Sequence, residues 1–404
     1  MAPRLPRQAW IVLGGDLLSA LGSGLTMPFF VVYLHRVRGV ELALATLALS
    51  TIAVASFAGN LLGGSLADRA GPRRTLAAGL LCSAGGAAWL AFVTSTPEAF
   101  AAAACLGLGN SIAWPAFDSL LATVVPEEER PRAFALRHAT LNLGFGGGAL
   151  VAAGLVVLDS TRSFQLLYLV DAATFAAATL PLLLLLRSLG NRAEAHEEQV
   201  AGGYREVLRD RAFLAIWGLT ALLVAFGFGQ YEAAIPPFAT GAAHVSAHAL
   251  GYVFAANTLA VVVLQLVVLR VVERSRRTTA LAAGSLAFAC AWCITLAAAH
   301  AGGAAVALFA LAMAVLGLGE TLLSPALGPI VNDLAPDRLR GRYNGTFVLA
   351  YTTGFTVGPA LAGVGLRIGD GSAWFAIVAG GCLLAAAWSV TLGRRLPAPA
   401  AVPA

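Results

Sequence analysis

The chain has 404 residues, of which 58% are hydrophobic and only 12% are charged. Soluble domains carry about 25% charged residues, so this composition excludes an ordinary soluble protein. The net charge of +5 comes from 26 basic residues, all of them arginines, against 21 acids. The arginines lie between apolar runs and not on one face of a domain. This placement argues against nucleic-acid binding and for a protein that its charges orient in a membrane.

Apolar runs of membrane-spanning length follow one another along the whole chain. The first run begins directly after Met1–Trp10, without the small-residue site that a cleaved signal peptide would have. We predict twelve spans, at residues 10–34, 43–66, 76–95, 99–122, 134–158, 164–187, 212–238, 250–272, 279–299, 303–331, 343–366 and 373–393. The sequence therefore predicts an all-α membrane protein with twelve transmembrane helices.

The loops between the predicted spans divide the arginines unevenly. All but four of the 26 arginines fall on one side of the membrane, and the exceptions are Arg36, Arg38, Arg162 and Arg367. Arg130, Arg132 and Arg137 are assigned to one loop on the arginine-rich side. Because arginine-rich loops stay in the cytoplasm, we expect both termini to be cytoplasmic.

The longest polar segment divides the predicted spans into six and six. It runs from Arg187 to Arg211 and is rich in charged residues and glycine, which is typical of a solvated linker. We predict an N-terminal six-helix bundle at residues 1–187, a cytoplasmic linker at residues 188–211, and a C-terminal six-helix bundle with a short cytoplasmic tail at residues 212–404.

The two halves of the chain repeat one another. The Gly-Leu-Gly at position 107 recurs at position 317, a shift of 210 residues. The same shift aligns a proline and two arginines, which are Pro126, Arg130 and Arg132 in the first half and Pro336, Arg340 and Arg342 in the second. Shared apolar composition would not place this turn in register, so spans 4–5 and 10–11 are predicted to be one repeated unit. Parallel repeats of this kind occur in secondary transporters.

The most specific motif is a charged turn between spans 2 and 3. Residues Gly64–Leu76 read GSLADRAGPRRTL, with an acid, three arginines and a Gly-Pro pair between two apolar helices. One interpretation is a loop that only sets orientation, which any multi-spanning protein needs. The full string is more specific, and it resembles the signature loop between helices 2 and 3 of the major facilitator superfamily. The matching residues are Gly64, Leu66, Asp68, Arg69, Gly71 and Arg73, whereas Pro72 stands where the family more often has a basic residue.

The resemblance covers about residues 10–393. It implies the major facilitator fold, in which two pseudo-symmetric six-helix halves rock about a substrate site near the middle of the membrane. It also implies that the signature loop closes an inner gate, with Asp68 facing a helix end of the second half. The gating residues would be Gly64, Asp68, Arg69, Gly71, Arg73 and Arg74. In the second half we expect Asp333 to pair with Arg276 or Arg277.

Span 11 contains Gly354 and Gly358 at four-residue spacing, followed by Pro359, and span 5 contains the equivalent Gly144 and Gly148 without the proline. Glycines at this spacing let a partner helix pack closely, and a proline lets the helix bend. The pattern resembles the Gly-x-x-x-Gly-Pro motif in helix 5 of the family's exporters, although the intact form lies in the other half here. Ordinary close packing is the alternative interpretation.

Acids inside the spans are the best candidates for coupling transport to protons. A charged side chain near the middle of a membrane costs about 2.5–3.5 kcal/mol, and burial favours the neutral form of a carboxyl group. The candidates are Asp16, Glu320, Glu232, Asp118 and Asp171. Asp16 and Glu320 come first, because spans 1, 4, 7 and 10 line the central cavity in the family. Asp171 lies in an outer helix and fits a structural role better. Each acid could also be hydrogen-bonded without any part in transport.

Aromatic and amide side chains in the spans could line a substrate cavity, although each could equally be packing. The candidates are Phe29, Tyr33, Trp114, Asn142, Tyr231, Asn257, Gln265 and Tyr351. No arginine is expected near a span centre, where it could bind an anionic substrate. The five cysteines lie in apolar spans and are interpreted as small buried side chains. No metal site and no cofactor are expected.

The first functional hypothesis is a proton-coupled exporter of hydrophobic small molecules in a bacterial inner membrane, because the chain resembles bacterial multidrug/proton antiporters. Those antiporters often carry an arginine in span 4, where this chain has Ala103. The second hypothesis is a proton-coupled importer of a small metabolite. A membrane enzyme or scaffold is the third, and no catalytic cluster favours it. The expected partners are a small-molecule substrate, protons and the lipid bilayer, with no nucleic acid, and the protein is expected to be a monomer.

Overall fold

The computed structural model of the chain describes residues 5–158, 160–184, 204–272, 275–336, 339–368, 370–394 and 396. Every regular element among these residues is a helix. The chain divides into two compact units, Met1–Gln199 and Val200–Ala404. The division falls inside the predicted linker, most of which lies outside the described residues, so the exact linker bounds stay predictions.

Unit 1 has six long helices in its described part. They are α1 (Arg7–Val37), α2 (Leu42–Ala70), α3 (Pro72–Phe92), α4 (Thr96–Val124), α5 (Arg130–Leu155) and α6 (Thr161–Leu184). Helix α1 changes its winding near its end, with a 3-10 turn at Met27–Phe29 and a π-helical turn at Tyr33–Val37. The change coincides with Pro28, which cannot donate a backbone hydrogen bond.

Unit 2 has six long helices in its described part as well. They are α7 (Arg211–Ala233), α8 (Ala247–Val272), α9 (Arg277–Ala298), α10 (Ala305–Leu334), α11 (Arg340–Gly365) and α12 (Ser372–Leu392). Helix α7 contains a π-helical turn at Val224–Phe228, and a short helix, Ile235–Gly241, follows it. The break between them falls at Ala234, beside the Ile235-Pro236-Pro237 run that favours a helix break.

Eleven of the described helices contain a stretch long and apolar enough to cross a membrane. The remaining long helix, α5, has 26 residues, and its first two turns carry Arg130, Arg132 and Arg137. The predicted all-α membrane fold in two six-helix halves is confirmed. The twelfth span depends on α5, which is not among these eleven helices.

The helices pack in the same pattern within each unit. In unit 1, α1 packs against α5 and α6, α4 packs against α2 and α3, and α3 also packs against α6. In unit 2, α7 packs against α11 and α12, α10 packs against α8 and α9, and α9 also packs against α12. Each contact of one unit has its counterpart in the other, so the sequence repeat corresponds to a structural repeat.

Small residues set the closest of these contacts in unit 1. A Cβ atom placed on Gly144 would lie 2.7 Å from the carbonyl oxygen of Leu17, and one on Gly148 would lie 2.8 Å from the backbone nitrogen of Leu25. Both glycines therefore let the backbones of α5 and α1 touch. On the opposite side of this contact, a Cβ on Gly24 would lie 2.8 Å from the Cα of Phe145.

The equivalent glycines of unit 2 do the same between α11 and α7. A Cβ on Gly354 would lie 2.9 Å from the carbonyl oxygen of Ala221, and one on Gly358 would lie 2.7 Å from that of Ala225. Pro359 is buried inside α11, directly after this contact. The glycine pairs thus have a packing role in both units, which is the simpler of the two interpretations of the motif.

We expect Gly148→Ala to lower the free energy of unfolding by about 1–3 kcal/mol, because the added methyl group would push α5 away from α1. Gly147→Ala is the matched control, since a Cβ on Gly147 has no atom within 4 Å. Alanine there should leave stability unchanged or raise it slightly. Unfolding of the purified variants in one detergent measures both effects. Equal stability of the two variants would contradict the assigned contact.

Candidate functional site

Three charged side chains meet inside unit 1. The guanidinium group of Arg137 donates from Nε to Oδ2 of Asp16 at 2.9 Å and from Nη1 to Oδ1 of Asp118 at 2.5 Å. The side chains of Arg137 and Asp16 are 5% and 3% exposed, whereas that of Asp118 is 42% exposed. One buried arginine is therefore shared by a buried acid and a more accessible acid.

Three helices bring these charges together. Asp16 comes from α1, Asp118 from α4 and Arg137 from α5. The guanidinium group also lies over the rings of Trp114 and Phe117 of α4, 4.9 Å and 5.4 Å from their centroids. Such cation–π contacts stabilise a desolvated guanidinium group. The glycine contacts between α1 and α5 allow the close approach that these hydrogen bonds need.

The charges of this cluster do not cancel. Two carboxylates face one guanidinium group, which leaves one negative charge when both acids are ionised. Removing one partner of a buried ion pair typically costs about 3–5 kcal/mol, because the remaining charge loses its compensation. The third guanidinium nitrogen, Nη2 of Arg137, is buried and has no hydrogen-bond partner among the described residues. The cluster can therefore accept one proton, and it keeps one free hydrogen-bond donor.

The sequence-based assignment of Arg137 to a loop is wrong. Helix α5 begins at Arg130 and not at residue 134, and Pro131 occupies one of its first positions, where proline is favoured. Arg137 is thus seven residues inside the helix, about 10 Å along its axis. No arginine was expected near a span centre, and Arg137 lies nearer the start of α5 than its middle, but its side chain is buried among three helices. The proline was the signal that could have placed the helix start correctly.

A second group of polar side chains lies in unit 2. Glu232 and Tyr231 come from α7, Glu320 from α10 and Tyr351 from α11. Tyr231 is close enough to both carboxyl groups to interact electrostatically with them, and Tyr351 is close enough to Glu320. Neither glutamate forms an ion pair with a described residue. Unlike Asp16 and Asp118 of unit 1, these two half-buried acids form no ion pair with a described cation.

Asp171 is buried between α6 and α1 and has a local hydrogen bond. Its Oδ2 atom accepts from the hydroxyl group of Thr26 at 2.8 Å, and Oδ1 has no partner among the described residues. A Cβ on Gly22 of α1 would lie 2.5 Å from that second oxygen atom. Asp171 therefore fits closely into the packing of two helices, which matches the structural role that its outer helix indicates.

Two aromatic candidates for a substrate cavity lie in the core of unit 1. Phe29 and Tyr33 are 1% and 0% exposed. Tyr33 stacks on Phe164 at 5.2 Å, and its hydroxyl group donates to the carbonyl oxygen of Leu90 at 2.6 Å. These contacts make both side chains part of the packing. Sequence periodicity could not show this, because it does not say which helix faces a residue.

The other cavity candidates are aromatic rings that are exposed or half-buried and amides, two of which are hydrogen-bonded to the backbone. Trp114 is 55% exposed and covers Arg137, and Tyr231 packs edge-on against Phe254 at 4.8 Å. Two amides donate to backbone carbonyl oxygens, Asn142 to His138 at 2.9 Å and Asn257 to Met313 at 3.2 Å. Gln265 is half-buried in α8. Trp114, Tyr231 and Tyr351 are therefore the candidates that lie beside acids or the arginine.

The signature turn is shorter than predicted. Helix α2 continues to Ala70 and α3 begins at Pro72, so Gly71 alone joins them, with a positive φ of 82°. Only glycine adopts this backbone conformation without strain. Arg69 and Arg74 are exposed, and Nε and Nη1 of Arg73 are buried without a partner among the described residues. The surroundings of Gly64 and the side chain of Asp68 lie outside the described part of the structure, so the gating role of both residues stays a prediction.

At the corresponding end of unit 2, Arg277 donates to Asp333 and links the start of α9 to the end of α10. This is one of the two pairs that the sequence allowed, whereas Arg276 precedes α9 at its N-cap position. No group of three or more metal-binding side chains occurs among the described residues. The five cysteines are free, with Sγ of Cys82 and Sγ of Cys105 3.7 Å apart between α3 and α4.

Comparisons with known proteins agree with this architecture. The sequence profile of the Major Facilitator Superfamily matches residues 12–243 and residues 222–404. A Na(+), Li(+), K(+)/H(+) antiporter of Planococcus maritimus is 27% identical over 391 residues, with 87% of this chain and 88% of the antiporter covered. The multidrug resistance protein MdtH of Aeromonas hydrophila is 29% identical over 212 residues, with 52% of this chain and 51% of that protein covered.

The fold is also that of solved transporters. A crystal structure of the peptide transporter POT in complex with alafosfalin superimposes with a TM-score of 0.79 at 16% identity, with 97% of this chain and 95% of the transporter covered. At this identity the likeness concerns the fold alone. Profile matches that span almost the whole sequence, the repeated six-helix units and the membrane-spanning helices lead to one conclusion. The chain belongs to the Major Facilitator Superfamily of membrane transporters.

Proposed function

We propose that the chain is a proton-coupled antiporter that exports hydrophobic small molecules by alternating access. The observation that carries this proposal is the sharing of Arg137 between Asp16 and Asp118. A proton that neutralises one acid leaves the arginine paired with the other acid, so the cluster has two stable charge states. A coupling site needs two such states, one for each side of the membrane.

The two acids differ in a way that suits proton exchange. Asp118 is 42% exposed and can take up or release a proton, whereas Asp16 is 3% exposed and keeps its bond to Arg137. Because Arg137 contacts α1 and α4 from α5, a change in its partners would alter how these three helices fit together. Protonation is thereby linked to the packing of unit 1, which is the link that coupled transport requires.

The acids of unit 2 are assigned to the substrate. Glu232 and Glu320 form no ion pair with a described residue, and Tyr231 and Tyr351 are near enough to interact electrostatically with these carboxyl groups. Carboxylates and aromatic rings together attract a lipophilic cation. The names of two relatives, a cation/proton antiporter and a multidrug resistance protein, support antiport and export. We place the arginine-rich ends of the helices in the cytoplasm.

Import of an anionic metabolite is the second candidate, and the free Nη2 atom of Arg137 favours it. A buried guanidinium nitrogen without a partner could bind a carboxylate or phosphate of a substrate. Two carboxylates already contact this arginine, however, and they would repel an incoming anion. Export of hydrophobic molecules therefore fits the cluster better.

We expect Asp16→Asn and Asp118→Asn each to abolish substrate-driven proton movement, because the remaining acid neutralises Arg137 and no proton is needed. The assay uses proteoliposomes with a trapped pH-sensitive dye and a panel of lipophilic cations and neutral antibiotics. Asp171→Asn is the control, because Asp171 is a buried acid that does not contact an arginine. This variant should retain the coupling of proton movement to substrate transport. Substrate flux without proton movement in the wild-type protein would end the antiport proposal. Normal proton coupling in both variants would show that the coupling proton binds at other residues.

We expect Glu320→Gln to raise KM for lipophilic cations about tenfold, which corresponds to the loss of about 1.4 kcal/mol of attraction. Neutral substrates of similar size should keep their KM, since they do not depend on the carboxylate charge. The measurement is concentration-dependent uptake into the same proteoliposomes. An equal rise in KM for both substrate classes would show a general structural defect. Lost proton movement with unchanged KM would make Glu320 the coupling acid.

A further inference from the structure

A cavity of about 320 Å³ opens in unit 2, where helix α7 begins and helix α12 ends. Arg211 and Ala215 of α7 line the cavity together with Trp388 and Leu392 of α12 and with Leu396, which follows α12. None of these residues belongs to the proposed transport site. The volume lies at the lower end of the range for small-molecule sites, about 300–1,000 Å³, so the cavity can hold a compact group.

The inner walls of the cavity are apolar. Leu392 and Leu396 are buried, and the ring of Trp388 packs so closely over α7 that a Cβ on Gly218 would lie 3.0 Å from it. Trp388 itself is 36% exposed. Partly exposed tryptophans of this kind are enriched where helices leave the hydrocarbon and enter the headgroup layer of a membrane.

The mouth of the cavity is cationic. Arg211, which lines the cavity, is the exposed first residue of α7, and Arg394 is exposed in the chain between the lining residues Leu392 and Leu396. Neither arginine forms an ion pair with a described residue. The neighbouring Asp210 has other partners, since Oδ1 accepts from the backbone amides of Ala212 and Phe213 and Oδ2 accepts from the hydroxyl group of Tyr343. The positive charge at the mouth is therefore available to a ligand.

The cavity also lies at the end of unit 2 that carries most of its arginines. Helices α7, α9 and α11 begin at this end with Arg211, Arg277 and Arg340, so it corresponds to the cytoplasmic ends of the spans. Anionic phospholipids attract exposed arginines at this depth, and basic pockets between helices bind their headgroups. The apolar interior of the cavity suits the acyl chains of a lipid, and its cationic mouth suits the phosphate group.

We propose that this cavity binds an anionic phospholipid from the cytoplasmic leaflet. Its phosphate group pairs with Arg211 and Arg394, because guanidinium groups donate to phosphate oxygens in parallel pairs. The glycerol and the first methylene groups of the acyl chains lie against Trp388 and Leu392. The site would fix the inner ends of α7 and α12 to a particular lipid, independently of what the protein transports.

The test measures lipid binding to the purified full-length chain in mixed micelles. Phosphatidylglycerol with brominated acyl chains is titrated while tryptophan fluorescence is recorded, and the Trp388→Phe variant identifies the part of the quenching that comes from Trp388. We expect Arg211→Gln and Arg394→Gln each to weaken phosphatidylglycerol binding about fivefold, as the loss of one charge contact predicts. Ala215→Phe, which fills the cavity without changing charge, should also abolish the Trp388 signal.

Two controls make the result specific. Arg205→Gln removes an exposed arginine that precedes α7 and, unlike Arg211 and Arg394, neither lines the cavity nor lies between lining residues in the chain, and it should leave binding unchanged. Brominated phosphatidylcholine should quench Trp388 much less than phosphatidylglycerol does. Equal weakening by Arg205→Gln, equal quenching by the two lipids, or competition by inorganic phosphate alone would each overturn the proposal. Melting temperatures in phosphatidylcholine micelles verify that every variant is folded.

Discussion

Arg137 lies two turns inside α5, with its guanidinium group between Asp16 of α1 and Asp118 of α4. A buried guanidinium group must be paired, because its desolvation costs several kcal/mol and only good hydrogen-bond geometry offsets that cost. The position of three helices in unit 1 therefore depends on one side chain. The close approach of α1 and α5 at Gly144 and Gly148 serves the same geometry, since a wider spacing would leave Asp16 out of reach.

The two units share their helix packing and differ in their charges. The main helix contacts of unit 1 recur in unit 2, including the glycine contacts that bring α5 to α1 and α11 to α7. Unit 1 nevertheless pairs Asp16 and Asp118 with an arginine, whereas Glu232 and Glu320 of unit 2 form no ion pair with a described residue. The same helix scaffold thus occurs twice with different charges, and the proposed function assigns protons to unit 1 and substrate to unit 2.

The sequence was sufficient for the features that depend on local pattern. Apolar length predicted the helices, the register of Pro126 with Pro336 predicted the repeat, and the spacing of Gly144 and Gly148 predicted a close helix contact. Features that depend on which helices face one another were harder to predict. Tyr33 is a polar aromatic in a cavity-lining span by sequence, yet it packs in the core against α6. Arg137 was assigned to a loop because a charged side chain near a span boundary is usually in water. Pro131 indicates the earlier helix start, but only the folded structure shows the two acid partners of Arg137.

Because a single residue connects α2 to α3, this connection leaves no room for an insertion or a cleavage site. Ala70 ends one helix and Pro72 begins the next, with Gly71 between them at a φ of 82°. Exposed loop tips are the preferred sites of proteolysis and of tolerated insertions, because few backbone hydrogen bonds are lost when such a loop changes conformation. No such tip exists between these two helices, so an epitope tag or a cleavage site placed there would have to unwind one of them. Topology mapping by insertion would therefore be more reliable at other connections of the chain.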